Sequence, residues 1–160
     1  MKNKKIYLFS LLISLILSAC GFQPIYKYDY NRISVSYQPV LISKNSMAIT
    51  QTFNNFFNKI NQDVDTILEV SIDQKKIAII TNADGTVAKY KVEVYVSFDL
   101  IDKETKRNLF TDYTRGFSQY NVQVNEYDTE LKFKESENTA ALNALQLIPI
   151  KIENFQSRNQ

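Results

Sequence analysis

The clearest pattern in the chain is a strict alternation. Between Thr86 and Ile101, Ala88, Tyr90, Val92, Val94, Val96, Phe98 and Leu100 fall on one face, and Lys89, Lys91, Glu93, Tyr95, Ser97 and Asp99 on the other. A period of two with one apolar side predicts an antiparallel strand that is half buried and half wet. A second strand is predicted over Thr66–Ile80, and Asp84-Gly85 between the two reads as a two-residue hairpin turn. That turn sets Ile79 opposite Tyr90 and Ile77 opposite Val92, but further along it sends Leu68, Val70 and Ile72 to water. One extra residue restores them, with Ile72 opposite Val96 and Val70 opposite Phe98. Because a one-residue slip flips every side chain, a bulge is expected between Asp73 and Lys76. A longer turn is the competing explanation, and by itself it misplaces Ile77 and Ile79.

The remaining elements follow from period and punctuation. Ile33, Val35 and Tyr37 alternate with serines, predicting a short strand that Pro39 ends. Ile49, Phe53, Phe56, Phe57 and Ile60 form one helical stripe from about Ser46 to Asn61, with Ser46 as N-cap. Asn108–Tyr120 reads as a third long strand, and residues 121–128 as a loop. Ala141, Leu145, Ile148, Ile152 and Phe155 form a second helical stripe, in which Pro149 predicts a kink or break. The order β-α-β-β-β-α predicts an α+β two-layer sandwich: a four-stranded, mainly antiparallel sheet with two helices on one face.

The first twenty residues read as an address. Lys2, Lys4 and Lys5 precede an apolar run, Ile6–Leu17, and the small residues Ser18 and Ala19 lead into Cys20. This is the three-part pattern of a secretory signal, and the run is shorter than the roughly 20 residues a spanning helix needs. Leu17-Ser18-Ala19-Cys20 resembles a bacterial lipobox. The resemblance implies cleavage before Cys20, a diacylglycerol on its thiol and an acyl chain on the new amino group. Gly21 rather than Asp after the cysteine implies sorting to the outer membrane. The expected organisation is 1–19 signal peptide, 20–31 lipidated tether, 32–156 one α+β domain and 157–160 tail.

Composition removes much chemistry. The 160 residues contain no His, no Trp and one Cys. An imidazole-based triad or dyad and the usual zinc sites are excluded. No Gly-rich phosphate loop is present. Asp63 with Asp65 and Asp102 with Glu104 sit at element ends, where solvated turn carboxylates are the ordinary case, so no catalytic pair and no metal site are assigned. The protein is read as a non-enzyme without a cofactor beyond the acyl chains on Cys20. The net charge of +2 belongs to the signal. Without its three lysines the remainder has 16 basic and 17 acidic residues, so nothing points to nucleic acid.

One basic cluster remains. Lys75 and Lys76 approach Lys89 and Lys91 across the predicted hairpin. Such a group suits the phosphates of an anionic lipid. The plainer reading is a charged face with Glu93 paired across to a lysine. Ten Tyr and ten Phe are a heavy aromatic load. Phe53, Phe56 and Phe57 belong to the helix stripe; Tyr95, Tyr113, Tyr120 and Tyr127 fall in loops or on wet faces, where tyrosine suits an interface.

Cys20-Gly21-Phe22-Gln23-Pro24-Ile25-Tyr26 resembles the opening of the lipopolysaccharide-assembly lipoprotein family, C-G-F-x-P-(Leu or Ile)-Y. The element order is similar to that family's domain of two helices and four strands. Tyr120-Asn121 and the Ala-rich helix through Ala140, Ala141 and Ala144 are similar to its C-terminal part, from which Pro149 departs. The resemblance implies a plug inside a large outer-membrane β-barrel that passes lipopolysaccharide to the outer leaflet. Its members assist barrel assembly and sit lipid-anchored on the periplasmic side or in the barrel lumen. The implied partners are the barrel, lipopolysaccharide and the outer membrane. Lys75, Lys76, Lys89 and Lys91 are then candidate contacts to lipopolysaccharide phosphates. An anchored adaptor of another envelope transport machine is the alternative.

Overall fold

The computed structural model describes residues 37–58 and 64–158; Cys20, the 20–31 tether and most of the expected first strand lie outside them. The elements are β1 (Gln38–Leu41), α1 (Met47–Phe56), β2 (Thr66–Thr81), β3 (Val87–Asp102), β4 (Asn108–Asn121), α2 (Glu126–Leu145) and α3 (Leu147–Arg158). The sheet order is β1-β2-β3-β4, with β1 parallel to β2 and the other pairs antiparallel. The architecture is the α+β arrangement that the periodicities predict. The last helix reaches Arg158, two residues into the expected tail.

The first strand corrects the sequence reading. Pro39 lies inside β1 rather than ending a strand before it. Ile42 N–H donates to Val70 C=O at 2.9 Å, and alternation then turns Val40 and Gln38 toward β2 and Pro39 away from it. On an edge strand with its nitrogen outward, a proline removes no ladder bond.

The β2–β3 hairpin also differs from expectation near its turn. Thr81 pairs with Val87, and Asn82–Thr86 forms the connection. Asn82 N–H donates to Thr86 C=O at 2.8 Å, Gly85 N–H to Asn82 C=O at 3.0 Å, and Gly85 has φ +86°. The register irregularities lie between Ala78 and Thr81, not between Asp73 and Lys76. The longer turn is the solution adopted. Ile72 does face Val96, and Val70 does face Phe98. Burial of Leu68, Val70, Ile72, Val92, Val94, Val96 and Phe98 fixes that register, while Ile77, opposite Lys91, goes to the other face.

Ser46 caps α1 by accepting from Ile49 N–H. Ile49, Phe53 and Phe57 bury the helix against the core. The second stripe breaks at Gln146, so that Pro149 falls in the first turn of α3, where its missing N–H leaves no helical bond unmade. Leu145, Ile148 and Ile152 stay buried across the break, and Phe155 stacks on Phe110 at 4.5 Å.

One buried group works against this core. Glu137 of α2 is 2% exposed, and its Oε1 has no hydrogen-bond partner. Burial pushes its carboxyl above the usual carboxylate range and Glu130 adds to this, while bonds from Gln74 and Ser46 and the charge of Lys134 only partly oppose it. An acid whose pKa is raised by folding binds its proton more tightly in the native state. Its stabilising share is therefore present in acid and is lost as pH rises from the unfolded carboxylate value through the folded one. Glu137→Gln should raise stability at pH 7 by about 1 kcal/mol and flatten that loss. Urea melts of both proteins at pH 5 and pH 7 measure it; equal pH dependence would contradict the assignment.

Candidate functional site

The helices cover one face of the sheet, and among the described residues no element covers the other. Alternation along each strand decides what that outer face presents. Asp73, Tyr95 and Arg115 form one cross-strand row, Lys75, Glu93 and Phe117 the next, and Ile77, Lys91 and Gln119 a third. Tyr113 is 68% exposed and Phe117 57%, beside the partly exposed Tyr95. Large aromatic groups interleaved with cations on an uncovered face are the composition of an interface rather than of a solvated surface.

The predicted lysine cluster is only partly assembled. Lys75 and Lys91 share the outer face as diagonal neighbours, and Lys89, opposite Ile80, stands at its turn end. Lys76 lies on the helix face. Its Nζ sits 4.3 Å from the Tyr90 ring centroid, 4.9 Å from that of Phe133 and 5.7 Å from that of Tyr120. This cation–π contact ties β2 to β3, β4 and α2. Consecutive strand residues must face opposite ways, so Lys75 and Lys76 could not both join the cluster.

Glu93 organises the centre of the face. Its carboxylate lies 2.7 Å from Lys91 Nζ and accepts from Tyr95 Oη at 2.6 Å. Lys91 first, and Tyr95 second, hold it below the usual carboxylate range. The ion pair runs along one strand rather than across two. Lys91 is thereby neutralised, whereas Lys89 makes no ion pair among the described residues.

Sequence reasoning placed Tyr95 and Tyr113 on the wet face and missed Phe117 and Arg115, because the pattern of β4 is broken by Gly116. Tyr120 is buried instead of exposed, its ring stacked on Tyr90 at 5.6 Å. Tyr127 is exposed in the first turn of α2. Asp102 is a turn carboxylate, accepting from Thr105 N–H at 2.7 Å and Glu104 N–H at 3.1 Å. No group of three metal-ligating side chains occurs among the described residues, and no described helix is long and apolar enough to cross a membrane.

Comparison with solved structures bears on the fold. A Caulobacter crescentus protein assigned as a lipoprotein superposes with a TM-score of 0.60 at 12% identity, covering 78% of this chain and 93% of its own. A minor lipoprotein from Acinetobacter baumannii gives 0.54 at 11% identity, covering 77% and 92%. Lipoprotein B from Nitrosomonas europaea gives 0.52 at 14% identity, covering 79% and 90%. The chain shares the fold of these bacterial lipoproteins. At such identities the likeness is one of architecture alone. No protein-family model matches the sequence, and no curated protein sequence matches it significantly.

Proposed function

We propose that the protein is an outer-membrane lipoprotein, anchored through acyl chains on Cys20, that assists assembly of a large β-barrel lipopolysaccharide translocon and plugs its lumen. The observation that carries the reading is the segment Cys20-Gly21-Phe22-Gln23-Pro24-Ile25-Tyr26, directly after a signal-like stretch. The shared lipoprotein architecture supports it. The physical fit is a small rigid domain with one sheet face left open. Tyr95, Tyr113 and Phe117 would pack on the partner, and the polar positions between them suit a polar barrel interior. Lys75 and Lys89 are the candidate contacts for lipopolysaccharide phosphates, Lys91 joins them by exchanging Glu93 for a phosphate, and Lys76 is occupied by its aromatic ring of neighbours. No catalytic step is required of the protein.

The test is co-purification of the full chain from detergent-solubilised outer membranes. A stoichiometric large β-barrel is the expected companion. A different envelope machine would replace the translocon reading with the adaptor reading, and its absence from the outer-membrane fraction would remove both. Cys20→Ala should move the protein out of the membrane fraction and change its electrophoretic mobility. Two or three acyl chains anchor stably, at about 0.8 kcal/mol per buried methylene, where no chain does. Unchanged mobility and fractionation would refute lipidation.

A further inference from the structure

Where the open sheet face ends at the free edge of β4, a cleft of about 410 Å³ lies between that edge and the middle of α2. Its volume is that of a small-molecule site, about 300–1,000 Å³. Its chemistry is polar. Ser118, Gln119 and Asn121 come from β4, Ser136 and Thr139 from α2, and Lys89 and Lys132 supply the cations.

The edge of β4 explains why the cleft takes a small ligand rather than a strand. Val122 N–H donates to Ala88 C=O, so alternation points the backbone groups of Phe117, Gln119 and Asn121 out to the free edge. Two of those carbonyls are capped: Phe117 C=O by Asn143 Nδ2 at 3.2 Å, and Asn121 C=O by Gln123 Nε2 at 3.0 Å. Gln119 between them keeps its backbone N–H and C=O for the cleft. With those carbonyls capped, the edge from Phe117 to Asn121 offers an incoming strand an interrupted row of acceptors, whereas a template needs a continuous run.

The wall narrows the ligand class. Serine, threonine, asparagine and glutamine side chains each donate and accept, as do the hydroxyls of a saccharide. The hydroxyls of Ser136 and Tyr120, buried at this wall, have no partner within the described protein. With almost no accessible area these two lie behind the wall, and a ligand in the cleft meets the exposed groups of Gln119, Asn121, Gln123 and Thr139 instead. Lys132 is paired with Glu135 at 2.8 Å, and Lys89 has no ion pair, so the cleft carries one uncompensated positive charge.

We infer that this cleft binds a sugar phosphate, with Lys89 and Lys132 at the phosphate and the amide and hydroxyl groups of β4 and α2 at the ring. The inference deepens the proposed contact at Lys89 and rests on the lipopolysaccharide reading only for the source of the sugar. A free sugar phosphate and a phosphorylated glycan borne by a lipid present the same chemistry.

The test is amide NMR of the full chain in detergent, titrated with glucose 1-phosphate, glucose, inorganic phosphate and deacylated lipopolysaccharide. Glucose 1-phosphate should shift Gln119, Asn121 and Thr139 saturably, with a Kd on the order of 1 mM. Glucose and inorganic phosphate should bind more weakly. Lys89→Ala should weaken binding about tenfold by removing a charge-assisted contact. Glu135→Gln should strengthen it several-fold by removing the opposing carboxylate. Absence of saturable shifts, indifference to both substitutions, shifts centred on Lys75 and Lys91, or equal binding of inorganic phosphate would each overturn the site. Competition by deacylated lipopolysaccharide would assign the glycolipid as source. Binding of glucose 1-phosphate without that competition would keep the cleft and remove its link to lipopolysaccharide.

Discussion

Replacing Gly116 with valine should unfold the contact between α2 and the sheet. A Cβ at Gly116 would lie 2.0 Å from Ala140 O and 2.6 Å from Ala144 N, both backbone atoms of α2. No rotamer relieves a clash with backbone, so the helix must lift from β4. The lifted helix carries Ala140, Ala141, Ala144 and Leu145, all buried. Overpacking of this kind belongs among the largest single-residue effects, about 4 kcal/mol or more. Gly116→Ala meets the same atoms and should already be strongly destabilising. Gly85→Ala is the contrasting control. Nothing lies within 4 Å of a Cβ there, and only the φ of +86° is unfavourable, at about 1–2 kcal/mol. Urea denaturation of the three variants should rank them Gly85→Ala, Gly116→Ala, Gly116→Val in rising loss. A Gly116→Val protein as stable as the parent would mean that α2 does not sit on β4 as described.

Phe98→Ala should cost about 3–5 kcal/mol, the usual loss for a buried aromatic ring in a core that cannot collapse around the gap. Phe98 is 1% exposed in β3, where β2 and β4 on either side hold its backbone in place. The loss should spread in one direction. Phe98 meets Phe110 edge-on at 5.9 Å, and Phe110 stacks on Phe155 at 4.5 Å. Removing the first ring frees the second and loosens the end of α3. Amide exchange should therefore accelerate at residues 152–156 before it does in α1. Uniform acceleration across both helices would show that the ring chain carries no local coupling.

These two positions mark what the sequence made legible. Phe98 could be placed in the core at once, because the chain alternates without a break from Ala88 to Leu100 and one face of that run is wholly apolar. The register at Ile72 and Val70 was legible for the same reason. The turn was not, because Asp84-Gly85 satisfies a two-residue loop locally, while burial of Leu68, Val70 and Ile72 decides the register from a distance. Ile77 was expected inside for its apolarity, yet it faces outward opposite Lys91. Gly116 was illegible, since the need for a missing side chain is visible only when a helix backbone arrives above it. The helix-breaking role of Pro149 was local and could be read directly. Of the lysine cluster, alternation alone put Lys89 and Lys91 on the wet face of β3, whereas the facing of Lys75 and Lys76 depended on the register of β2, and the cleft beside β4 on the path of α2.

The lengths of the layers carry a mechanical consequence. Strands β2 and β3 have 16 residues each, about 53 Å at 3.3 Å per residue, while α2 with 20 residues spans about 30 Å. Burial along β2 ends at Ile72, and β1 reaches only Val70. Strand β3 stays paired with β4 as far as Lys89, opposite Asn121, and Val92 and Val94 are buried, so only the hairpin tip beyond Ile80 and Lys89 is a cantilever, held by its own ladder. A beam of this kind yields at its free end and transmits a load applied there back to its root. Whatever grips that tip holds a lever on the whole sheet.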